Sequence, residues 1–272
     1  MNLAIADTLL VSVLPFYIVY RFLENNWIFG EGMCRFVTAA FYCNTYCSVL
    51  LMTSISVDRF LAVVYPVRSL SWRTVTRAWL VCGVIWVMSL ASTVPLLIIE
   101  QSFMIYVPDT ILCHEVQYNM FFLDFYFIYF ISLIPLFFFL PLLFTTFCYI
   151  RIIRSLSRSK FDRTHKRSRS VRLSVVVLSV FVLCFGPTNV ISLINYVKLY
   201  QSYSGSLYIP YILSSSISSI NCCLDPLIYY FASSDCQRHV YSLLRYKKDY
   251  HPPVQSLPLN TRSSNQRGPE ET

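Results

Sequence analysis

Charge is scarce in this chain: Asp, Glu, Lys and Arg make up 13% of its 272 residues, about half the usual share for a soluble domain. With a mean hydropathy of +0.53 and apolar runs of 20 or more residues, that scarcity excludes a water-soluble fold. Six such runs joined by short polar loops leave nothing from which to build a wetted surface. There is no Asn-x-Ser/Thr sequon, so N-glycosylation is not expected. No internal repeat and no inverted pairing of spans occurs, which speaks against a transporter or channel. No cleavable leader is expected from the residues ahead of the first run. The stretch from Glu100 to Phe122 has no Lys or Arg at all, yet holds Glu100, Asp109 and Glu115. Its negative field favours a cationic ligand or peptide, although a negative outer loop is also what membrane topology leaves behind when cations collect inside.

The basic residues, in contrast, are crowded. Nineteen of the 22 Lys and Arg fall in three places: Arg59 to Arg77, Arg151 to Arg172, and the tail from Arg238 to Arg267. Only Arg21, Arg35 and Lys198 lie on the alternate connections. Such segregation marks the cytoplasmic side and places the C-terminus inside. It also removes the nucleic-acid reading of a net charge of +8, which would need a uniformly basic surface. Six spans put both ends on one side, so residue 1 is expected in the cytoplasm too. Seven of the ten cysteines sit within apolar runs, where a thiol acts as a small hydrophobe. Cys34 and Cys113 are the two near the outer face, an oxidising compartment, and form the expected disulfide.

The fold class expected is all-α, a multi-pass transmembrane helical bundle. Its spans run over about 3–22, 34–65, 78–99, 123–150, 171–196 and 207–231. Residues 234–245 place Cys236, Val240, Leu243 and Leu244 against Arg238 and Arg245 at helical spacing, as in a short helix lying on the membrane surface. A bundle domain over 1–245 would thus be followed by a disordered tail over 246–272. The most informative stretch is Leu50 to Pro66, where a long apolar run meets Asp58-Arg59. An Arg inside a span costs about 2.5 to 3.5 kcal/mol at the bilayer centre, so it marks a functional site by default. Asp7 and Asp225 are two further acids at membrane depth. If they are neighbours, one must be protonated or a cation must sit between them. Asn44, Ser48 and Asn221 can complete an oxygen cage, and a water-filled polar seam is the alternative.

Asp7 in LAIAD, Cys34 opening a long helix, DRF at Asp58 to Phe60, Trp86, Pro141 with Tyr149 eight residues on, FVLCFGP from Phe181 and DPLIYY from Asp225 occur in this order, one group per span. Together they resemble the class A, rhodopsin-like G-protein-coupled receptors, with these six spans standing for helices two to seven. CRFVTAAFYCN from Cys34, SLSWRT from Ser69, CHEV from Cys113, FGPTNV from Phe185 and ASSDCQR after DPLIYY are similar to the proteinase-activated receptors, the thrombin-receptor type in particular. That resemblance implies a non-enzymatic plasma-membrane receptor coupled to a heterotrimeric G protein. A serine protease would activate it by cutting an outer segment absent from this sequence, leaving a tethered peptide agonist; a free peptide agonist and membrane lipids are the other partners. A class A receptor for another ligand and a truncated, non-signalling chain remain as alternatives.

The resemblance also distributes roles. The activation switch falls on Asp58, Arg59, Phe60, Tyr149, Phe181, Phe185, Pro187, Asp225, Pro226 and Tyr229, with Asp58 holding Arg59 at rest and Tyr149 and Tyr229 receiving it afterwards. Asp7, Asn44, Ser48, Asn221 and Asp225 would form an allosteric sodium pocket, and no other cofactor or metal is expected. Tyr42, His114, Glu115, Tyr196, Tyr208 and Tyr211 would line the ligand pocket, though at helical spacing such aromatics serve packing equally well. A Phe-rich, Arg-bearing peptide suits an acidic, aromatic site. The sequence departs from the family at Asn119, at Asn195-Tyr196, at the acid-free run containing Arg167 and Arg169, and in having only Cys236 as a lipidation candidate.

Overall fold

A computed structural model describes residues 2–106, 109–114, 123–158, 172–173, 175–202, 208–232, 238 and 242. Within the unit Met1–Ser233 the first element, α1 (Asn2–Phe22), buries Leu3, Ala6, Leu10, Val13 and Tyr20 at helical spacing. Ile5, Val11, Ile18 and Phe22 point outward on its other faces. A helix apolar on every side is one that faces lipid as well as protein.

Helix α2 (Gly30–Val64) is the central post. It packs against α1, α4 (Val75–Ile98) and α6 (Leu140–Arg158). Gly30 opens it at φ +79°, where a Cβ would meet no atom within 4 Å; the backbone conformation, not space, demands glycine there. A 35-residue helix is about 52 Å long, more than a bilayer's hydrocarbon core, so it must tilt or project. The short α3 (Pro66–Trp72) starts on a proline whose missing N–H is no loss at that position, and Thr74 caps α4 by accepting from the Arg77 N–H.

The stretch expected as a plain outer loop is a hairpin, β1 (Ser102–Tyr106) antiparallel to β2 (Asp109–Cys113), with Ser102 opposite Cys113. It is tied to the α1–α2 connection by Trp27 N donating to the Ile111 carbonyl at 2.7 Å and Ile111 N donating to Asn26 Oδ1 at 3.1 Å. Alternation is weak in SFMIY and DTILC, so the pairing left little periodic signal.

Two spans depart from regular α-helix at matching places. Between α5 (Leu123–Ile134) and α6 lies a π-segment, Pro135–Phe139, and another, Phe181–Phe185, precedes α7 (Gly186–Ser202). Each ends two residues before a proline, Pro141 and Pro187. A helical proline orphans the carbonyl four residues back, here Phe137 and Leu183, and each lies at the centre of its π-segment. In the first of them the Leu140 N–H donates to the Pro135 carbonyl, the i→i+5 bond of a widened turn immediately ahead of the proline. The kink expected at Pro187 is thus built as a π-bulge upstream of it. The sixth span is broken at Ile220 into α8 (Tyr208–Ser219) and α9 (Asn221–Ala232). Five helical stretches among the described residues are long and apolar enough to cross a membrane; the break keeps the sixth from being continuous. The expected surface helix falls outside the described residues apart from Arg238 and Ser242.

Candidate functional site

At the end of the bundle that carries the hairpin, Glu31 in the first turn of α2 gathers the surrounding chain. It accepts from Arg35 Nε at 2.5 Å, Gln101 N at 2.8 Å, Ser102 N at 2.7 Å and the Ser102 hydroxyl. A carboxylate is favoured there by the helix dipole. Arg35 also donates to the Leu97 and Ile98 carbonyls at 3.3 and 3.0 Å, closing the last turn of α4. This clasp fixes β1, and the Cys34–Cys113 disulfide fixes β2, as expected from the sequence. Glu31 and Arg35 are spaced i,i+4, so they share one face of the helix.

The next residue, His114, has φ +57°, a left-handed conformation uncommon outside glycine but one that His, like Asn and Asp, adopts more readily than other residues. Its N–H donates to the Gln101 carbonyl at 2.8 Å, and this aims the imidazole into the bundle. Nδ1 lies 2.8 Å from Gln101 Oε1, and Nε2 lies 3.1 Å from the Tyr42 hydroxyl, which is 3.2 Å from the Tyr211 hydroxyl. Tyr42, Tyr126 and Phe130 surround the ring. Burial among them pushes the imidazole down to about 4, so it is neutral at pH 7. Tyr196 stacks on Phe130 at 4.5 Å.

The sequence therefore brought together Tyr42, His114 and Tyr211, with Tyr196 one ring away. Glu115 and the Tyr208 side chain lie outside the described residues. A cavity of about 460 Å³ opens beside this group, walled by Leu14, Phe22 and Phe41, with Arg21, His114 and Tyr211 as polar groups. Its aromatic character matches expectation. Among the described residues no carboxylate lines it and Arg21 does, while the acid expected there, Glu115, lies outside the described residues. Gln101, buried at 1% exposure, was missed, because nothing in its spacing distinguishes it from a loop residue.

Deeper in the bundle, Asp7 on α1, Asn44 and Ser48 on α2, and Asn221 and Asp225 on α9 form one polar cluster. The Asp7 carboxyl neighbours Asn44, Cys222 and Asp225. Asp225, Asn221 and Ser48 are fully buried. Asp7 Oδ1, Ser48 Oγ and both Asp225 carboxylate oxygens have no hydrogen-bond partner, and neither do the amide nitrogens of Asn44 and Asn221. Orphaned oxygens of this kind are what a hard cation takes as ligands, so the donor set fits sodium.

At the opposite end, Asp58 receives two hydrogen bonds from Arg73, at 2.6 and 2.9 Å, which hold the guanidinium even further toward its charged form. Arg59 Nε is 3.7 Å from Asp58 Oδ2. The expected Asp58–Arg59 pairing is present, but Arg73 is the closer partner, delivered by α3 folding back beneath α2. Tyr149 bonds the Ser56 hydroxyl at 2.6 Å. Phe60 contacts Tyr65 edge-on and Phe147 at a tilt, and Phe181 and Phe185 are buried together behind Pro187. Pro226 lies inside α9, and the Tyr229 side chain is outside the described residues.

The sequence model of the family described as 7 transmembrane receptor (rhodopsin family) matches residues 1–229. Proteinase-activated receptor 1 of Xenopus laevis is 57% identical over 252 residues, covering 93% of this chain and 59% of that protein. The human protein of the same name is 50% identical over 253 residues, 93% and 60% respectively. Proteinase-activated receptor 3 of Rattus norvegicus is 40% identical over 235 residues, 85% and 62%. The chain thus spans about three fifths of the length of these relatives. It belongs to the rhodopsin family of seven-transmembrane receptors and, within it, groups with the proteinase-activated receptors.

Proposed function

We propose that this chain is the signalling core of a plasma-membrane receptor that takes a peptide agonist at its outer face and a heterotrimeric G protein at its inner face. The observation that carries the reading is the pairing of an outer aromatic site, built on Tyr42, His114 and Tyr211, with an acid and two arginines gathered at the inner end of the helix that carries Tyr42. Helix α2 supplies both Tyr42 and Asp58, so a shift at one end reaches the other along a single rigid element. The likeness to proteinase-activated receptors suggests that a serine protease releases the agonist as a tethered peptide from a preceding segment. The basic connections face the cytoplasm together with the C-terminus, and lipid surrounds the apolar helix faces. Asp7, Ser48 and Asp225, with Asn44 and Asn221, hold sodium at rest.

The test is a full-length receptor carrying this chain, reconstituted with a G protein. A free peptide bearing Phe and Arg is expected to stimulate nucleotide exchange, and Tyr42→Ala to blunt it. Exchange unmoved by any peptide, but stimulated by a lipid or nucleotide, rejects the peptide reading.

A further inference from the structure

We propose that Gln101 is a positioning residue: it locks His114 as the Nδ1-protonated tautomer, and so gives the hydrogen-bond chain from Tyr211 through Tyr42 to His114 a single direction that latches α8 to the hairpin in the resting receptor.

The direction follows from donor and acceptor arithmetic. Gln101 is anchored three ways: its N–H is held by Glu31, its carbonyl by the His114 N–H, and its amide nitrogen faces the Ile99 carbonyl at 3.4 Å. That orientation leaves Oε1 toward His114 Nδ1, at 2.8 Å. An amide oxygen only accepts, so Nδ1 must carry the proton. No described charged residue contacts the ring, and its aromatic surroundings keep it neutral. Nε2 is therefore bare and accepts from Tyr42. The single Tyr42 proton is then committed, and across 3.2 Å the Tyr211 hydroxyl must be the donor. Tyr211 lies on α8 and Gln101 just before β1, so the chain spans from the disulfide-pinned hairpin to the far side of the cavity. The other tautomer would reverse every donor and leave Nδ1 facing an amide oxygen with no proton between them.

The latch also bears on ligand entry, and this part rests on the peptide-receptor reading. Tyr211 and His114 both line the cavity, so a ligand that seats between them must part the Tyr42–Tyr211 bond.

The chain has four histidines, His114, His165, His239 and His251. With the last three, and every histidine of the full-length receptor outside this chain, changed to Gln, ring ¹⁵N spectra report His114 alone. The expected state is Nδ1–H with a bare Nε2. Gln101→Leu should shift the population toward Nε2–H by about tenfold, the worth of one buried hydrogen bond, whereas Gln101→Glu, which keeps the acceptor, should preserve Nδ1–H. An Nε2–H ring in the unmodified receptor, or a Gln101→Leu ring unchanged from it, overturns the assignment. In agonist titrations, Gln101→Leu and Tyr211→Phe should each lower the half-maximal peptide concentration by roughly two- to tenfold, and the double variant should go no further than either. Additive shifts overturn the latch. Silence to peptide in every variant, with the tautomer as expected, rejects the peptide-receptor reading and leaves Gln101's role standing.

Discussion

Arg73 provides the sharpest test of the inner switch. It competes with Arg59 for one carboxylate: Asp58 receives two short bonds from Arg73 and lies 3.7 Å from Arg59. Removing Arg73 should hand Asp58 wholly to Arg59 and hold the resting state more tightly. Both side chains of the Arg73 pair are more than a third exposed, at 38% and 37%. Solvent screening limits such a pair to about 1 kcal/mol, even with bidentate geometry. One kcal/mol corresponds to about a fivefold change in the resting-to-active ratio. In full-length receptor reconstituted with G protein, agonist-free nucleotide exchange should therefore fall by up to about fivefold in Arg73→Ala. Asp58→Asn, which frees both arginines, should raise it. Exchange that rises in Arg73→Ala, or falls in Asp58→Asn, refutes the competition.

Three further outcomes follow from the geometry. The His114 imidazole has its protonation midpoint lowered by burial to about 4, against about 6.5 unfolded, so the unfolded chain binds the extra proton between those values. Stability should be complete above about pH 6.5 and decline toward pH 4 by up to about 3 kcal/mol, and His114→Gln should flatten that part of a thermal-unfolding pH series. Sodium, compared with a bulky organic cation at equal ionic strength, should stabilise the receptor by about 1.4 kcal/mol at tenfold its dissociation constant, and Asp7→Asn or Asp225→Asn should abolish the difference in a melting assay. Cys34→Ser with Cys113→Ser opens a loop with a sequence separation of 79, worth about 4.5 kcal/mol on the chain-entropy account; a melting temperature unchanged from the parent would contradict a structural role for the bridge.

What could be read in the sequence was what periodicity and charge placement determine. The apolar runs gave the membrane-crossing helices, although the fourth continues to Arg158, eight residues into the expected basic loop, and the fifth to Ser202, six beyond its expected end; the sorting of cysteines gave Cys34–Cys113. Tyr42, His114 and Tyr211 were singled out together, although Tyr42 and Tyr211 are 169 residues apart. Contacts made by irregular backbone stayed hidden. Gln101 and Arg73 owe their roles to a hairpin and a one-turn-plus helix that bring distant segments together, and neither leaves a repeat in the sequence. The π-segments were also hidden, although Pro141 and Pro187 were visible: proline predicts a disturbed turn but not whether the helix kinks or widens. Arg21 on the cavity wall was also not anticipated, because the composition of a loop reports an average field and says nothing of a cation on the neighbouring helix.

The central claim is that Arg59 changes partners inside when an agonist docks outside. Measuring G-protein nucleotide exchange and labelled-agonist binding side by side on full-length receptor with Arg59→Gln tests it most directly. The account predicts that agonist still binds while stimulated exchange is lost; stimulated exchange at the parental level would contradict it.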